Sequence, residues 1–407
     1  MSKFVIIGGG AAGIKAAEKI RELTPQAEIT IVMQDESVHS RCMLHKFLAG
    51  ERDEKTLSFI KDSWEADNNV KILGGREIAK VDTAGKVVVT DKEEVPYDKL
   101  LIATGSNGFI PPIGDLATAN NVHCFRHLHE ARAVKEQAKD AKKIVVVGAG
   151  LVGIDAAYAF LEMGKDVTVV EMAERIIPLQ LDDEAAYEYQ KLFEADGCKF
   201  LLGKKVEGTE PDGKGGISAI LLDGGDKVEC DLAVVAAGER AAIGFLEGSG
   251  IETERFCNVD SHMRTNVPDV YAAGNVTGLS GTWPNAKKQA EVAAINMCGG
   301  DATYEDTYAF KNTMNFYGLT ALSLGKGVIE EGDEVIKRHD SKGYRRAIMR
   351  GGKLDSIILQ GKLDYAGVYQ YVIKNEIDLS NISTDIFHLS FADFYGTDEK
   401  GQYEYSV

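Results

Sequence analysis

The stretch IVVVGAGLVGIDAAYAFLEMGKDVTVVE, residues 144–171, opens with four consecutive apolar β-formers, Ile144, Val145, Val146 and Val147. They read as a strand buried on both faces. Gly148, Gly150 and Gly153 follow at once. Glycines at this spacing supply a tight turn, a backbone that can approach a pyrophosphate, and close packing of the next helix on the strand. That helix, from about Leu151 to Met163, turns its N-terminal amides and positive dipole end toward the phosphates, worth roughly 0.3–1 kcal/mol at an exposed site. Gly164 stops it. A second strand, Val167 to Val170, then delivers Glu171 about 20 residues past the glycines, where a carboxylate can bond an adenosine ribose 2′-hydroxyl. Strand, glycine turn, helix, strand and acid in this order predict a dinucleotide-binding unit.

Outward toward the N-terminus the pattern repeats. Phe4 to Ile7 reads as a strand, and Gly8, Gly10 and Gly13, with Ala12 beside the last, form a second copy of the fingerprint. A helix over Ala11 to Leu23 and a strand over Glu28 to Met33 follow, and Asp35 or Glu36 then lies at the ribose-acid distance. Spacing alone does not choose between the two acids. Outward in the other direction, Leu100 to Ala103 runs into Thr104 and Gly105, LAVVAAG ends at Gly238, and VYAAG ends at Gly274. Each is an apolar strand closing on small residues, which either lets backbone approach a ligand or simply makes a tight turn. A simple dehydrogenase needs one fingerprint. Two imply one nucleotide kept as a cofactor and a second that exchanges.

The composition is that of a soluble globular protein. With 407 residues, 44% hydrophobic and 27% charged, the chain is long enough for two or three domains with large cores. A net charge of −17 argues against nucleic acid or an anionic membrane as partner. MSKFVIIGGG enters a strand directly and no apolar run approaches about 18 residues, so a cytoplasmic location is expected. Cys42, Cys124, Cys198, Cys230, Cys257 and Cys298 form no C-x-x-C pair, which leaves zinc and iron–sulfur sites without a local signature and predicts no metal.

The order of first fingerprint, LLIATGS, second fingerprint, LAVVAAGER and TNVPDVYAAGNVTG resembles the pyridine nucleotide-disulfide oxidoreductases, from Phe4 to about Gly300. The resemblance implies two Rossmann-like dinucleotide-binding domains plus a C-terminal α+β domain. Residues 1–112 and 243–310 would form an FAD-binding domain, 113–242 an NAD(P)H-binding domain, and 311–407 a domain that caps the flavin or forms a homodimer interface. Gly8, Gly10, Ala12, Gly13, the Asp35–Glu36 region, Thr104, Gly105 and Gly274 would hold FAD. Gly148, Gly150, Gly153 and Glu171 would bind the nicotinamide nucleotide, and Gly238 would also belong to the cofactor-binding residues. Glu171 favours NADH over NADPH, because a 2′-phosphate would be repelled, although Arg175 nearby could offset this. Asp155 stands where relatives carry a glutamate near nicotinamide and flavin, and also reads as a solvated first-turn acid. Where the family's third motif usually ends in Gly-Asp, this chain has Gly274-Asn275, which predicts looser retention of FAD, since a charge-assisted bond is roughly twice as strong as a neutral one.

The acceptor is decided around SRCMLHKFLAG, residues 40–50. Lipoamide and glutathione reductases carry a cysteine pair here and thioredoxin reductases carry one later; this chain has neither. Cys42, Leu44 and Gly50 match the pattern of coenzyme A disulfide reductases, with Cys42 as a thiolate lowered in pKa at a helix N-terminus. Arg41 matches the branch of NADH:rubredoxin reductases and nitrite reductase flavin domains. Trp283-Pro284-Asn285, leading into a helix with Ala286, Ala290, Ala293 and Ala294, favours that second branch and places Trp283 at the flavin. Lys287, Lys288, Arg345 and Arg346 read as basic pairs, a docking site for an acidic carrier or a solvated face. Beyond Lys311, strands are expected at Thr320 to Leu324, Glu334 to His339, Arg345 to Met349 and Leu354 to Leu359, and a helix at Tyr365 to Lys374. The Tyr-rich tail, Phe391 to Tyr405, reads as an interface strip or an ordered end. The expected function is electron transfer from NADH through FAD to a small redox protein or a partner subunit. The alternatives are reduction of a low-molecular-weight disulfide through Cys42, and a flavin-bearing interaction protein of low turnover.

Overall fold

Two five-stranded parallel sheets with the same strand plan carry the two fingerprints in the computed structural model, which describes residues 2–305, 311–397 and 399–405. In the first, Lys3–Ile7 lies between Glu28–Val32, followed by Lys71–Leu73, on one side and Lys99–Ile102, followed by Val270–Ala272, on the other. In the second, Lys143–Val147 lies between Asp166–Val170, then Lys199–Leu201, and Leu232–Val235, then Val122–Cys124. The central strands are buried over four consecutive residues, as continuous apolar runs require when helices cover both faces. Register sets Ile6 between Ile31 and Leu101, and Val146 between Val169 and Val234.

In each unit the glycine strand ends at the same level as its neighbours, so both glycine turns lie at the carboxyl edge of a sheet, the usual ligand edge of such folds. Helix Ala11–Leu23 packs on helix Trp283–Met297, and the contact is made largely of alanine: Ala12, Ala16 and Ala17 against Ala286, Ala290, Ala293 and Ala294. These small side chains let the two helices close, and they bring the start of the second one beside the first glycine turn. A two-stranded link, Ser106–Gly108 paired antiparallel with Glu239–Ala241, carries the chain out of the first sheet and back.

A third sheet is antiparallel, in the order Lys311–Phe316, Leu319–Leu324, Lys353–Gly361, Gly343–Arg350 and Glu334–Asp340, with helix Ala366–Lys374 against it. Four of these strands and the helix fall where the sequence predicts them. It packs on the second unit through helix Asp183–Ala195, where Tyr189 and Phe193, both fully buried, meet Phe316 and Ile358. Each such side chain contributes about 1.5–3 kcal/mol by burial.

Arg345 and Arg346 correct the expectation of a basic surface pair: they are 4% and 5% exposed. They sit on a strand with neighbours on both sides, so one points to Asp340 at 3.1 Å and the other toward Asp182 at 3.9 Å. Lys287 is exposed, as expected. The tail forms a short hairpin of Tyr395–Thr397 with Tyr403–Tyr405; Asp398 and the side chains of 403–405 lie outside the described residues. Among the described residues no helix is long and apolar enough to cross a membrane, and among them no group of three or more His, Cys, Asp or Glu side chains is placed to hold a metal.

Candidate active site

The two glycine turns repeat each other in detail. A methyl group on Gly13 would lie 1.9 Å from the Gly8 carbonyl oxygen, and one on Gly153 the same 1.9 Å from that of Gly148. Gly8 and Gly148 themselves have φ of +114° and +104°, a conformation other L-residues rarely adopt. The middle glycines differ from these. A Cβ on Gly150 would meet nothing within 4 Å, and one on Gly10 only Arg41 Nη1 at 3.6 Å. The protein therefore forces the outer glycines and leaves the middle ones facing open space. Neither helix has a side-chain cap at its start, so the first-turn amides keep their donors for a ligand.

Both helices open on one cleft of about 580 Å³. The first contributes Gly10, Ala11 and Ala12, and the second Leu151, Val152, Asp155 and Tyr158. Arg41 and Cys42, Gly105, Gly274 with Asn275, and Trp283 complete much of the wall, so these widely spaced expected site residues meet. Strand Lys311–Phe316 of the third sheet closes one side, a contribution the sequence does not announce. His39 and Arg41 supply a test of fit for a dinucleotide. His39 Nε2 and Arg41 Nε are buried without a hydrogen-bond partner in the protein, which is costly unless a ligand takes them. With the open middle glycines, the donor set suits a phosphate-bearing cofactor such as FAD.

The candidate ribose acids differ in their surroundings. Asp35, 16% exposed, accepts from Arg41 Nη2 at 3.0 Å, whereas Glu36, 79% exposed, approaches only Arg132 at 3.9 Å. Glu36 lines a separate shallow depression. Glu171 accepts from the backbone amides of Ala149 at 2.6 Å and Ala173 at 2.8 Å, leaving lone pairs on both oxygens. Arg175 donates to Asp183 and to the carbonyls of Pro178 and Leu181.

Cys42 departs from expectation. It is exposed to the cleft, but it lies in a single 3₁₀ turn, Arg41–Met43, ahead of a helix of only five residues. Burial of its sulfur, helped by Asp155, pushes the thiol pKa up, outweighing Arg126 and Arg41. Asp155 lines the same cleft with its side chain 32% exposed, and desolvation there pushes its carboxyl up to about 7. Its Oδ2 lies 3.6 Å from His45 Nδ1, and burial pushes that imidazole down to about 4.

Thr104 stands behind the wall, its hydroxyl donating to the Ala242 carbonyl. Gly238, at φ +113°, lies between strands Leu232–Val235 and Glu239–Ala241, with nothing within 4 Å of a Cβ position. Asn275 Nδ2 donates to Glu239 Oε1 at 3.1 Å, and the other oxygen of Glu239 takes Arg126 at 2.8 Å and the Ser106 hydroxyl at 2.8 Å. Trp283 packs edge-on against Phe59 at 4.7 Å. His39 and Arg126 line the cleft outside every sequence motif, while His45 and Glu239, the latter behind the wall, lie within motif stretches that give them no role. Only their proximity in three dimensions reveals them.

The family model for pyridine nucleotide-disulphide oxidoreductases matches residues 2–290. The chain is 31% identical over 390 residues to the NAD(P)H nitrite reductase of Bacillus subtilis, covering 94% of this chain and 48% of that protein, so it spans about half the length of that relative. It is also 31% identical over 394 residues to the NADH-dependent phenylglyoxylate dehydrogenase subunit epsilon of Aromatoleum evansii, covering 93% of each. Among solved structures, the reductase fold of the covalent putidaredoxin reductase–putidaredoxin complex matches with a TM-score of 0.82 at 22% identity, covering 93% of this chain and 94% of that one.

Proposed function

The chain belongs to the pyridine nucleotide-disulphide oxidoreductases, and within that family we propose that it is an FAD-dependent NADH oxidoreductase that delivers electrons to a small redox protein or a partner subunit. FAD, when bound, supplies the redox chemistry: it takes a hydride from reduced nicotinamide and releases electrons to an acceptor. In this reading residues 1–112 and 243–310 hold FAD, 113–242 bind NADH, and 311–407 cap the cleft, in the cytoplasm. Gly10 and its helix amides cradle one pyrophosphate and Gly150 and its helix amides the other. Asp35, fixed by Arg41, and Glu171 accept from the two adenosine riboses, and Glu171 disfavours the 2′-phosphate of NADPH. Trp283 and strand Lys311–Phe316 exclude water from one side of the cleft.

One observation carries the reading: the first glycine turn, through Gly10 to Ala12, and the start of the second fingerprint helix, through Leu151, Val152 and Asp155, line a single cleft, although Gly148, Gly150, Gly153 and Glu171 stand outside its lining. The relative in Aromatoleum evansii is named as an NADH-dependent subunit, which supports a chain that serves as the NADH entry module of a larger oxidoreductase.

A second reading rests on Cys42, which is the one cysteine lining this cleft and could form a mixed disulfide with a low-molecular-weight substrate. Against it stands the thiol pKa, raised by burial. Cys42→Ser separates the two. The favoured reading expects NADH-dependent reduction of a dye or carrier protein within about twofold of the parent, a change under 1 kcal/mol in barrier. Loss of all acceptor activity in that variant would place the chemistry on sulfur.

A further inference from the structure

Ile177 is the only β-branched residue among the eight non-glycine residues with positive φ in the described chain, at φ +48°. Such a residue is a genuine outlier there, held only when its surroundings over-determine it. Its side chain is fully buried in the core of the second unit. Its amide donates to the Ala149 carbonyl at 2.7 Å, and Ala149 lies inside the second glycine turn. The amide of that same Ala149 donates to Glu171 Oε2 at 2.6 Å. One residue of the turn is therefore gripped on both of its peptide groups by the segment 171–177. The far end of the segment is fixed as well. Arg175 donates to the carbonyls of Pro178 and Leu181 and to Asp183, and Asp182 accepts from the Tyr344 hydroxyl of the third sheet at 2.5 Å.

We infer that Ile177 is a positioning residue for the nicotinamide nucleotide: its left-handed backbone brings an amide to Ala149 and, with Glu171, holds the second glycine turn in the form that receives the pyrophosphate. The inference rests on reading that turn as the NADH site. The backbone, not the side chain, carries the role. A relaxed φ would swing the amide away from Ala149 and leave the turn held by Glu171 alone, the same carboxylate that the ribose must share.

Two substitutions separate backbone from side chain. Ile177→Gly keeps the left-handed conformation and the amide while deleting the packed side chain, whereas Ile177→Pro deletes the amide and fixes φ near −65°. In purified FAD-loaded protein, the glycine variant is expected to melt at a lower temperature yet keep its affinity for NADH within about twofold, an amount smaller than one hydrogen bond. The proline variant is expected to keep its FAD and lose NADH affinity about tenfold, the effect of one hydrogen bond, with a smaller change in limiting reduction rate. Equal NADH affinity in the two variants overturns the inference. Should the proline variant yield no folded flavoprotein, Arg175→Met, which frees the brace while leaving the core intact, is expected to weaken NADH binding roughly threefold or more; unchanged binding there overturns it equally. If NADH fails to reduce the flavin of the unaltered protein, the reading of the turn itself fails, a result these variants do not produce.

Discussion

At the scale of the residue, Asp155 is the group expected to make the cleft respond to pH. Its carboxyl is pushed up to about 7 by burial, with Lys46 only partly opposing this. His45, pushed down to about 4 by burial, stays neutral across the same range, and the Cys42 thiol is pushed upward. Asp155 is accordingly neutral below about pH 7 and a carboxylate above it. A carboxylate facing the cleft stabilises positive charge that grows on a hydride donor as the hydride leaves, so reduction of the flavin by NADH should speed up as pH rises through this range. Rapid-mixing measurements from pH 5.5 to 8.5 (about one and a half units either side of the group) should give a limb near 7 that Asp155→Asn removes. Persistence of the limb in that variant would assign it to another group. Neither the burial of Asp155 nor the raised thiol of Cys42 follows from sequence spacing, because both come from residues 41–46 and 151–158 folding against each other.

At the scale of the element, the two glycine units are alike in build and separate in duty, which makes them separable by mutation. Gly153→Ala would set a methyl 1.9 Å from the Gly148 carbonyl oxygen, a backbone atom that cannot step aside. Forcing such a contact costs about 1–3 kcal/mol. The variant should purify with its full complement of FAD, since the first turn belongs to another sheet, and bind NADH about tenfold or more weakly. Normal NADH affinity would mean that the second turn is not where the nucleotide sits. These elements were also the most legible ones. Helix Ala11–Leu23 begins and ends where its pattern predicts, and the fingerprint strands differ by a residue at most, because a continuous apolar run followed by glycine has few other solutions. Strand Lys311–Phe316 was missed since KNTMNF reads as polar; its buried members, Met314 and Phe316, are separated by exposed positions. Arg345 and Arg346 misled for a related reason. What buries them is partners at Asp340 and Asp182, the second lying over 150 positions away in sequence.

At the scale of the whole molecule, the third sheet is bound to the second unit by polar ties over an apolar core. Tyr344 donates to Asp182, Gln360 to the Ala185 carbonyl, and Lys337 to Glu184 at 2.8 Å. Tyr344→Phe removes one bond to a charged acceptor, worth roughly 1.5–3 kcal/mol. Urea unfolding followed by tyrosine fluorescence and by flavin release should show the loss, while the flavin spectrum of the folded protein stays the same; an unchanged transition would mean that this tie adds nothing to the join. The central claim concerns electron flow through the assembled cleft. Its most direct test is an anaerobic titration of the purified FAD-loaded protein with NADH, read across the visible spectrum. The account predicts bleaching of the flavin after one NADH, two electrons per FAD, with no long-wavelength band from a thiolate. Uptake of four electrons with such a band, or a flavin that NADH does not bleach, would contradict it.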